Sequence, residues 1–215
     1  MAQNRSATLP QLTEARFYAI VDLAYVGSGE VPRTLEQLIE GGADLVQLRG
    51  KTQSAETLTD VAKGMVQIAG ETKTPVIIND HPEVAVNARA QGVHVGQDDE
   101  KIASVRASVD HPIVVGKSTH SVAQAVVAER EGADYIGFGP LFATPTKPDY
   151  APIGLAQIRE VHEKVTIPIF CIGGIHIDNL QQVIDAGAKR VVMVSAVLRA
   201  HCIVDYVRCA TDMLA

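Results

Sequence analysis

The stretch GGADLVQLRG, residues 41–50, combines a helix-ending turn with a short apolar strand. Similar turns occur at Gly132–Asp134 and at Gly187–Lys189, each between a segment of helical period and the next apolar run. Glycine at such a point suits the left-handed residue that ends many helices. The repeat therefore indicates helix-to-strand connections that recur along the chain, and we interpret it as structural.

Short runs rich in valine and isoleucine recur along the chain. Such runs are typical of parallel strands buried on both faces, and apolar residues at every third or fourth position predict the helices between them. The predicted strands are Phe17–Asp22, Leu45–Arg49, Val76–Asp80, Gly92–Gly96, Ile113–Ser118, Tyr135–Pro140, Pro168–Gly174 and Arg190–Val197. Predicted helices include 54–69, 121–131 and 177–186.

This alternation predicts the α/β class and, within it, a (βα)8 TIM barrel in a single domain. An open doubly wound sheet is the alternative, but no GxGxxG follows the first strand and no shift in composition divides the chain. We expect residues 1–14 to form a flexible N-terminal tail and residues 15–215 to form the barrel, which is the catalytic domain.

The composition narrows the class of protein. Hydrophobic residues make up 47% of the chain and charged residues 20%, which favours a folded globular domain. A net charge of −6 argues against a nucleic-acid partner. No signal-peptide pattern and no long apolar run occurs, so we expect no membrane partner and a cytoplasmic location. Three cysteines without a CxxC spacing argue against a disulfide framework and a thiolate zinc site.

Polar residues follow the strands where each leads into its helix, which is the face of a barrel that carries the chemistry. Arg49 and Lys51 follow the second strand, Asp80 and Asp99 follow the third and fourth, and Lys147 follows the sixth. Neighbouring carboxylates suit a Mg²⁺ ion that also carries a phosphate. Arginine offers a planar fork to phosphate oxygens and lysine a point charge. The set predicts a diphosphate site with one Mg²⁺ per active site.

A second anion site is predicted beside the seventh and eighth strands. Gly173 and Gly174 let the backbone approach a ligand, and the segment after the eighth strand can offer N–H groups to an anion. Two anion sites predict two small phosphorylated substrates as the partners. A homo-oligomer is also compatible with the sequence.

Other polar residues near the strand ends have more ordinary explanations. We interpret His94 as a structural histidine with satisfied hydrogen bonds, Cys171 as core packing and Lys117 as part of the rim. His120 follows the fifth strand and has two interpretations: it takes part in proton transfer near neutral pH, or it orients Ser118.

The strand-end motifs resemble those of the thiamine phosphate synthase family, also called thiamine-phosphate pyrophosphorylases. The resemblance extends from Tyr18–Asp22 to Val194–Val197, nearly the whole predicted barrel. The motifs that carry it are QLRGK, NDH, GVHVGQDD, GKSTHS, GPLFATPTK, CIGGI and VVMVSAV.

The resemblance implies a role for individual residues. The hydroxymethylpyrimidine diphosphate would be bound by Gln47, Leu48, Arg49, Gly50, Lys51, Asn79, Ser118 and Lys147. Among these, the catalytic residues would be Arg49, Lys51, Ser118 and Lys147. The thiazole phosphate would be bound by Thr144, Pro145, Thr146, Gly174, Val194 and Ser195, and the Mg²⁺ ligands would be Asp80 and Asp99.

The implied reaction transfers the pyrimidinylmethyl group from diphosphate to the thiazole. Diphosphate leaves, and the resulting pyrimidine cation is captured by the nitrogen of the thiazole phosphate, or of its carboxylated form, to give thiamine phosphate. Two departures from the family pattern occur, His81 in the NDH motif and Ala143 in the loop after the sixth strand. Pro145 and Pro148 flank Thr146 and Lys147, which leaves open how that loop closes.

Two alternative functions use the same pocket. A thiazole tautomerase on the same barrel would place His120 at the centre of catalysis, and a non-catalytic protein would only bind thiamine phosphate. The presence of Asp80, Asp99, Lys51 and Lys147 disfavours both, because neither needs a diphosphate clamp.

Overall fold

Eight parallel strands pair in chain order, and the eighth pairs back to the first, so the sheet closes into a barrel. The computed structural model describes residues 9–144, 146 and 151–215. The strands are β1 (Phe17–Asp22), β2 (Leu45–Arg49), β3 (Val76–Asn79), β4 (Gly92–Val95), β5 (Val114–Thr119), β6 (Tyr135–Phe138), β7 (Ile169–Ile172) and β8 (Val191–Met193). The predicted (βα)8 TIM barrel is confirmed.

Helices surround the barrel. They are α1 (Pro10–Glu14), α2 (Val31–Glu40), α3 (Ala55–Thr72), α4 (Pro82–Ala88), α5 (Ile102–Ser108), α6 (Val122–Arg130), α7 (Ile158–Lys164), α8 (Ile177–Asp185), α9 (Ser195–Leu198) and α10 (Ile203–Leu214), with a 3-10 turn at Ser28–Glu30. In the part of the chain that the structure describes, no helix is both long and apolar enough to cross a membrane.

The predicted strand bounds differ from the observed ones mainly at the C-terminal ends. β6 stops at Phe138 rather than at Pro140, because proline has no N–H to donate to a neighbouring strand. β8 stops at Met193 rather than at Val197, because helix α9 begins at Ser195. Ser195 therefore lies at the start of a helix and not within a strand.

Two apolar layers pack the barrel. Side chains that point outward, such as Phe17 and Leu48, pack between the strands and the helices. Side chains that point inward, such as Tyr18, Tyr135 and Phe170, fill the interior. The period of two along a strand separates these sets, so the interior of the barrel is a packed floor beneath the loops.

The part of the predicted N-terminal tail that the structure describes differs from a loose tail. Residues Pro10–Glu14 form helix α1, and Leu12 is 5% exposed because it joins the interior apolar cluster that contains Tyr18. The chain thus covers the barrel interior with a few residues from before the predicted boundary. Residues 1–8 lie outside the described residues.

The repeated glycine turns end helices and anchor neighbouring strands. Gly42, Gly132 and Gly187 have φ of +100°, +90° and +108°, the left-handed conformation that follows a helix end. Asp44 accepts hydrogen bonds from the backbone N–H groups of Arg16 and Phe17, at 2.8 and 2.9 Å. These contacts lie where strands begin, so the structural interpretation of the repeat is confirmed.

Candidate active site

A pocket opens where the carboxyl ends of the strands meet, and it encloses about 910 Å³ when its open mouth is included. Loops after the strands form its rim, and inward side chains of the strands form its floor. The wall contains nine of the residues predicted to bind substrate: Gln47, Arg49, Asn79, Ser118, Thr144, Thr146, Gly174, Val194 and Ser195.

Other predicted residues lie elsewhere. Leu48 is 1% exposed, and its side chain packs in the outer apolar cluster because the strand alternation turns it away from the pocket. A Cβ on Gly50 would lie 2.7 Å from the Leu58 side chain, so Gly50 also faces packed side chains. Neither residue lines the pocket wall, and their predicted role in substrate binding stays a prediction. Pro145 and Lys147 lie outside the described residues.

A buried ion pair fixes Arg49 at the pocket wall. Its guanidinium donates to the carboxylate of Asp22, which is 1% exposed, and Asp22 Oδ1 also accepts from the N–H of Ala24 at 3.0 Å. Because both carboxylate oxygens have partners, Asp22 holds the guanidinium in one orientation. Sequence reasoning missed Asp22, although an acidic residue at the end of the first strand was a usable signal.

The predicted metal ligands lie together beside the pocket, outside its wall. Asp80 pairs with Lys51, and Asp99 Oδ2 accepts from the N–H of Gly96 at 2.7 Å. Burial raises the pKa of Asp80, but contacts with Lys51, Asp99 and Asn79 outweigh burial and hold this pKa below its usual value. The Asp80 backbone has φ of +61°, a conformation uncommon outside glycine, which turns the residue at the end of β3.

Two neighbouring carboxylates repel each other unless a cation lies close to both. In the structure Lys51 supplies a positive charge to Asp80. Among the described residues, no group of three or more His, Cys, Asp or Glu side chains forms a metal site. The two predicted ligands offer carboxylate oxygens, which would fit a Mg²⁺ ion that keeps water and phosphate oxygens as its other ligands.

A chain of hydrogen bonds crosses the floor of the pocket. Gln47 Nε2 donates to the Tyr18 hydroxyl at 2.6 Å, and the hydroxyls of Tyr18 and Tyr135 are 3.1 Å apart. His94 lies 3.0 Å from Tyr135 Oη through Nδ1 and 3.0 Å from Ser118 Oγ through Nε2. The interpretation of His94 as a hydrogen-bonded histidine is confirmed, but it also lines the pocket and orients Ser118.

Glycines leave space for the side chains of this hydrogen-bond chain. A Cβ on Gly116 would lie 2.1 Å from Cζ of Tyr135, and a Cβ on Gly137 would lie 3.4 Å from Cε1 of His94. Tyr18 and Tyr135, like His94, were missed as site residues. Their inward position in the alternating strand pattern was the available signal.

The opposite side of the pocket is made of backbone and hydroxyl groups. Gly174 has φ of +64°, and a Cβ there would lie 2.7 Å from the carbonyl oxygen of Ala143, so the two loops approach closely. Asn179 Nδ2 donates to the Gly174 carbonyl at 2.9 Å, and Tyr25 Oη lies 3.3 Å from Thr146 Oγ1. This side carries no acidic side chain in its described wall, which suits an anion.

Of the remaining polar residues, some line the pocket wall and others lie behind it. His120 lines the pocket, and its Nδ1 hydrogen-bonds with the carbonyl of Gly139. Lys117 was expected at the rim, but it is 7% exposed, because its outward side chain reaches back and donates to the Gly96 carbonyl at 2.6 Å. Cys171 is buried, and burial raises the pKa of its thiol to about 12, so core packing is confirmed.

The chain matches a known protein family over most of its length. The profile of the thiamine monophosphate synthase family matches residues 17–197. A thiamine-phosphate synthase of Shouchella clausii is 41% identical over 187 residues, which is 86% of this chain and 90% of the relative. One from Halalkalibacterium halodurans is 37% identical over 191 residues, covering 88% and 90%.

Solved structures agree with the sequence matches. Thiamine phosphate pyrophosphorylase from Pyrococcus furiosus superimposes with a TM-score of 0.85 at 29% identity, covering 95% of this chain and 96% of the other. The match therefore extends over nearly the whole of both chains. The chain belongs to the thiamine monophosphate synthase family.

Proposed function

We propose that this chain is a thiamine-phosphate synthase that joins hydroxymethylpyrimidine diphosphate to thiazole phosphate, or to its carboxylated form. The bond between the pyrimidine methylene carbon and the diphosphate oxygen breaks, and a bond from that carbon to the thiazole nitrogen forms. With the carboxylated form, the carboxyl group also leaves as carbon dioxide. The observation that carries the proposal is the two-sided pocket. Arg49 lies in one wall, with Lys51 and Asp80 beside that wall, and hydroxyl and glycine backbone groups form the other side.

The first side suits the pyrimidine diphosphate. Arg49 is held in place by Asp22 and presents a fixed fork to phosphate oxygens. Lys51 is about half exposed, so it can leave Asp80 and bind diphosphate. Together these charges would stabilise the leaving anion, which is the main requirement of a dissociative reaction. Lys147 remains a predicted member of this clamp.

A Mg²⁺ ion held by Asp80 and Asp99 is part of the proposal. The support is the proximity of the two carboxylates, since the side chains of Asp80 and Asp99 are in contact. When bound, the ion would supply positive charge to the diphosphate. The residues of this chain then need to hold the ring: we assign Gln47, Asn79 and Ser118 to this task.

The second side suits the thiazole phosphate. Thr144, Thr146 and Ser195 offer hydroxyl donors, and Gly174 and Val194 offer backbone close to the pocket. Pro145 remains a predicted neighbour. Binding of both substrates in one pocket brings the thiazole nitrogen to the pyrimidine carbon and limits attack by water.

The proposal includes the setting of the enzyme. Its partners are two small phosphorylated molecules, with no nucleic acid, and its location is the cytoplasm. The net charge of −6 supports the absence of a nucleic-acid partner, because a non-specific polyanion site needs an excess of basic residues.

One assay separates the proposed function from its alternatives. Purified protein is incubated with Mg²⁺ and both substrates, and diphosphate and thiamine phosphate are measured together. A synthase releases them in equal amounts. Isomerisation of the thiazole carboxylate without diphosphate release indicates a tautomerase, and binding of thiamine phosphate without turnover indicates a binding protein.

A further inference from the structure

The floor of the pocket links two proposed substrate-binding side chains through three others. Gln47 and Ser118 are the ends of the chain, and Tyr18, Tyr135 and His94 lie between them, with donor–acceptor distances of 2.6 to 3.1 Å. Such a chain has a direction, because each hydroxyl has one proton and each hydrogen bond uses one.

The two tyrosines carry their protons throughout. Tyr18 and Tyr135 are 1% and 0% exposed, and burial raises the pKa of both hydroxyls. A neutral His94 has one N–H, on either Nδ1 or Nε2. Tyr135 therefore donates either to Tyr18 or to Nδ1 of His94, and this choice fixes which ring nitrogen of His94 carries the proton.

The orientation of Gln47 favours donation from Tyr135 to His94. Its Nε2 faces Tyr18 and can only donate. Tyr18 then donates to Tyr135, Tyr135 donates to Nδ1 of His94, and Nε2–H of His94 donates to Ser118 Oγ. The Ser118 proton is left for a ligand, and Gln47 keeps Oε1 as an acceptor beside the second N–H of its amide.

We propose that Tyr18, Tyr135 and His94 are positioning residues that together make Ser118 a donor and Gln47 an acceptor toward the pyrimidine. This inference rests on the proposed function. An aminopyrimidine edge offers a ring nitrogen that accepts and an amine that donates, which matches that pair. A pyrimidinone edge offers a carbonyl and a ring N–H in the opposite arrangement, so this direction of the hydrogen bonds favours the amino form.

The fold is built around this chain. Gly116 pairs with both His94 and Tyr135 in the sheet, and a Cβ there would overlap the tyrosine ring. Phe170 packs edge-on against Tyr18 and Tyr135, with centroids 5.4 and 5.6 Å away, which restricts both rings. The hydroxyls thus have fixed positions before a ligand binds.

The first test needs no activity. Nitrogen-15 NMR of histidine-labelled protein reports which ring nitrogen of His94 carries the proton, and a His94→Asn variant assigns the signal. We expect the Nε2–H tautomer in the unliganded protein. The Nδ1–H tautomer would overturn the proposal. An Nε2–H result in a protein that makes no thiamine phosphate would leave the chain standing and remove the synthase assignment.

The second test uses the active enzyme and Tyr135→Phe, which breaks the chain with little change in volume. We expect kcat/KM for the aminopyrimidine diphosphate to fall roughly ten- to hundredfold, since a buried partner loses its hydrogen bond. The preference over the pyrimidinone analogue should shrink by a similar factor, while KM for thiazole phosphate changes less than about twofold.

Tyr206→Phe is the matched control. The Tyr206 hydroxyl accepts from the N–H of Ile177 at 3.1 Å and does not line the pocket, so its loss should leave the preference unchanged. Thermal unfolding of both variants checks that the barrel is intact. A Tyr135→Phe enzyme that keeps the full preference for the amino substrate would overturn the proposal, whatever its overall rate.

Discussion

Asp22 lies beside Arg49 in the paired strands β1 and β2 and pairs with its guanidinium, although the two residues are 27 positions apart in sequence. Asp22→Asn removes the negative charge and keeps the shape. We expect KM for the pyrimidine diphosphate to rise roughly tenfold, because the guanidinium loses about 1–3 kcal/mol of charge-assisted hydrogen bonding that orients it. Steady-state kinetics with each substrate varied in turn provides the measurement.

Glu40→Gln is the control for that variant. Glu40 pairs with Arg208 at 3.4 Å, and both side chains are more than half exposed. An exposed pair contributes less than about 1 kcal/mol, so kinetics and stability should both stay near those of the wild type. An Asp22→Asn enzyme with unchanged KM would show that Arg49 needs no support from Asp22.

Gly116 and Gly64 give opposite expectations for the same change to alanine. At Gly116 the new Cβ meets the Tyr135 ring at 2.1 Å, so the free energy of unfolding should fall by about 1–3 kcal/mol. At Gly64, inside helix α3, nothing lies within 4 Å, and alanine should stabilise by about 0.5–1 kcal/mol. Urea denaturation measures both. Equal effects at the two positions would contradict the close packing around Tyr135.

Much of the barrel follows from local signals. The strands β1 and β2 have the predicted bounds because their apolar runs end abruptly at charged residues, and the glycine turns mark helix ends through their positive φ. Helix α1 escaped prediction because five residues are too few to show a helical period. Its position depends on the barrel interior that Leu12 helps to cover.

The site was predictable where function requires a residue type at a strand end. Arg49 and Ser118 fall into the pocket wall for that reason. The contact between Tyr18 and Tyr135 could not be predicted from the sequence, because it joins residues 117 positions apart that meet only after the barrel closes. Asp22 was missed because its role depends on a neighbour in the next strand.

Replacement of Asp99 by asparagine tests the proposed metal site. Asp99→Asn keeps the hydrogen bond to Gly96 within reach but weakens a carboxylate ligand. We expect the Mg²⁺ concentration for half-maximal rate to rise by about tenfold or more, with activity partly restored at high Mg²⁺. Asp98→Asn, on the neighbouring exposed residue, should change this requirement little. A Mg²⁺ requirement equal to that of the wild type in Asp99→Asn would exclude Asp99 as a ligand.

We expect the protein to lose stability in mild acid because of His162. Burial, with Lys189 and Arg190 nearby, lowers the pKa of His162 from 6.5 to about 4, and among the described residues Nε2 has no hydrogen-bond partner. Below about pH 6.5 His162 is protonated in the unfolded chain but stays neutral in the folded chain. The free energy of unfolding therefore decreases as the pH is lowered. His162→Gln should therefore lose less stability than the wild type from about pH 7 to about pH 5 in urea denaturation. His201→Gln, at an exposed position, is the control, and parallel curves for His162→Gln and wild type would refute the expectation.

Ser195→Asp tests whether the pocket has two separate anion subsites. Ser195 lines the pocket at the start of helix α9, after β8, whereas Arg49 ends β2. A carboxylate there would repel the thiazole phosphate at short range, so KM for that substrate should rise roughly tenfold or more while KM for the pyrimidine diphosphate changes much less. Ser104→Asp, on the exposed face of helix α5, adds the same charge far from the pocket and controls for net charge. If Ser195→Asp raised both KM values equally, the two phosphorylated groups would share one site, and the separation of the two substrates across the pocket would be wrong.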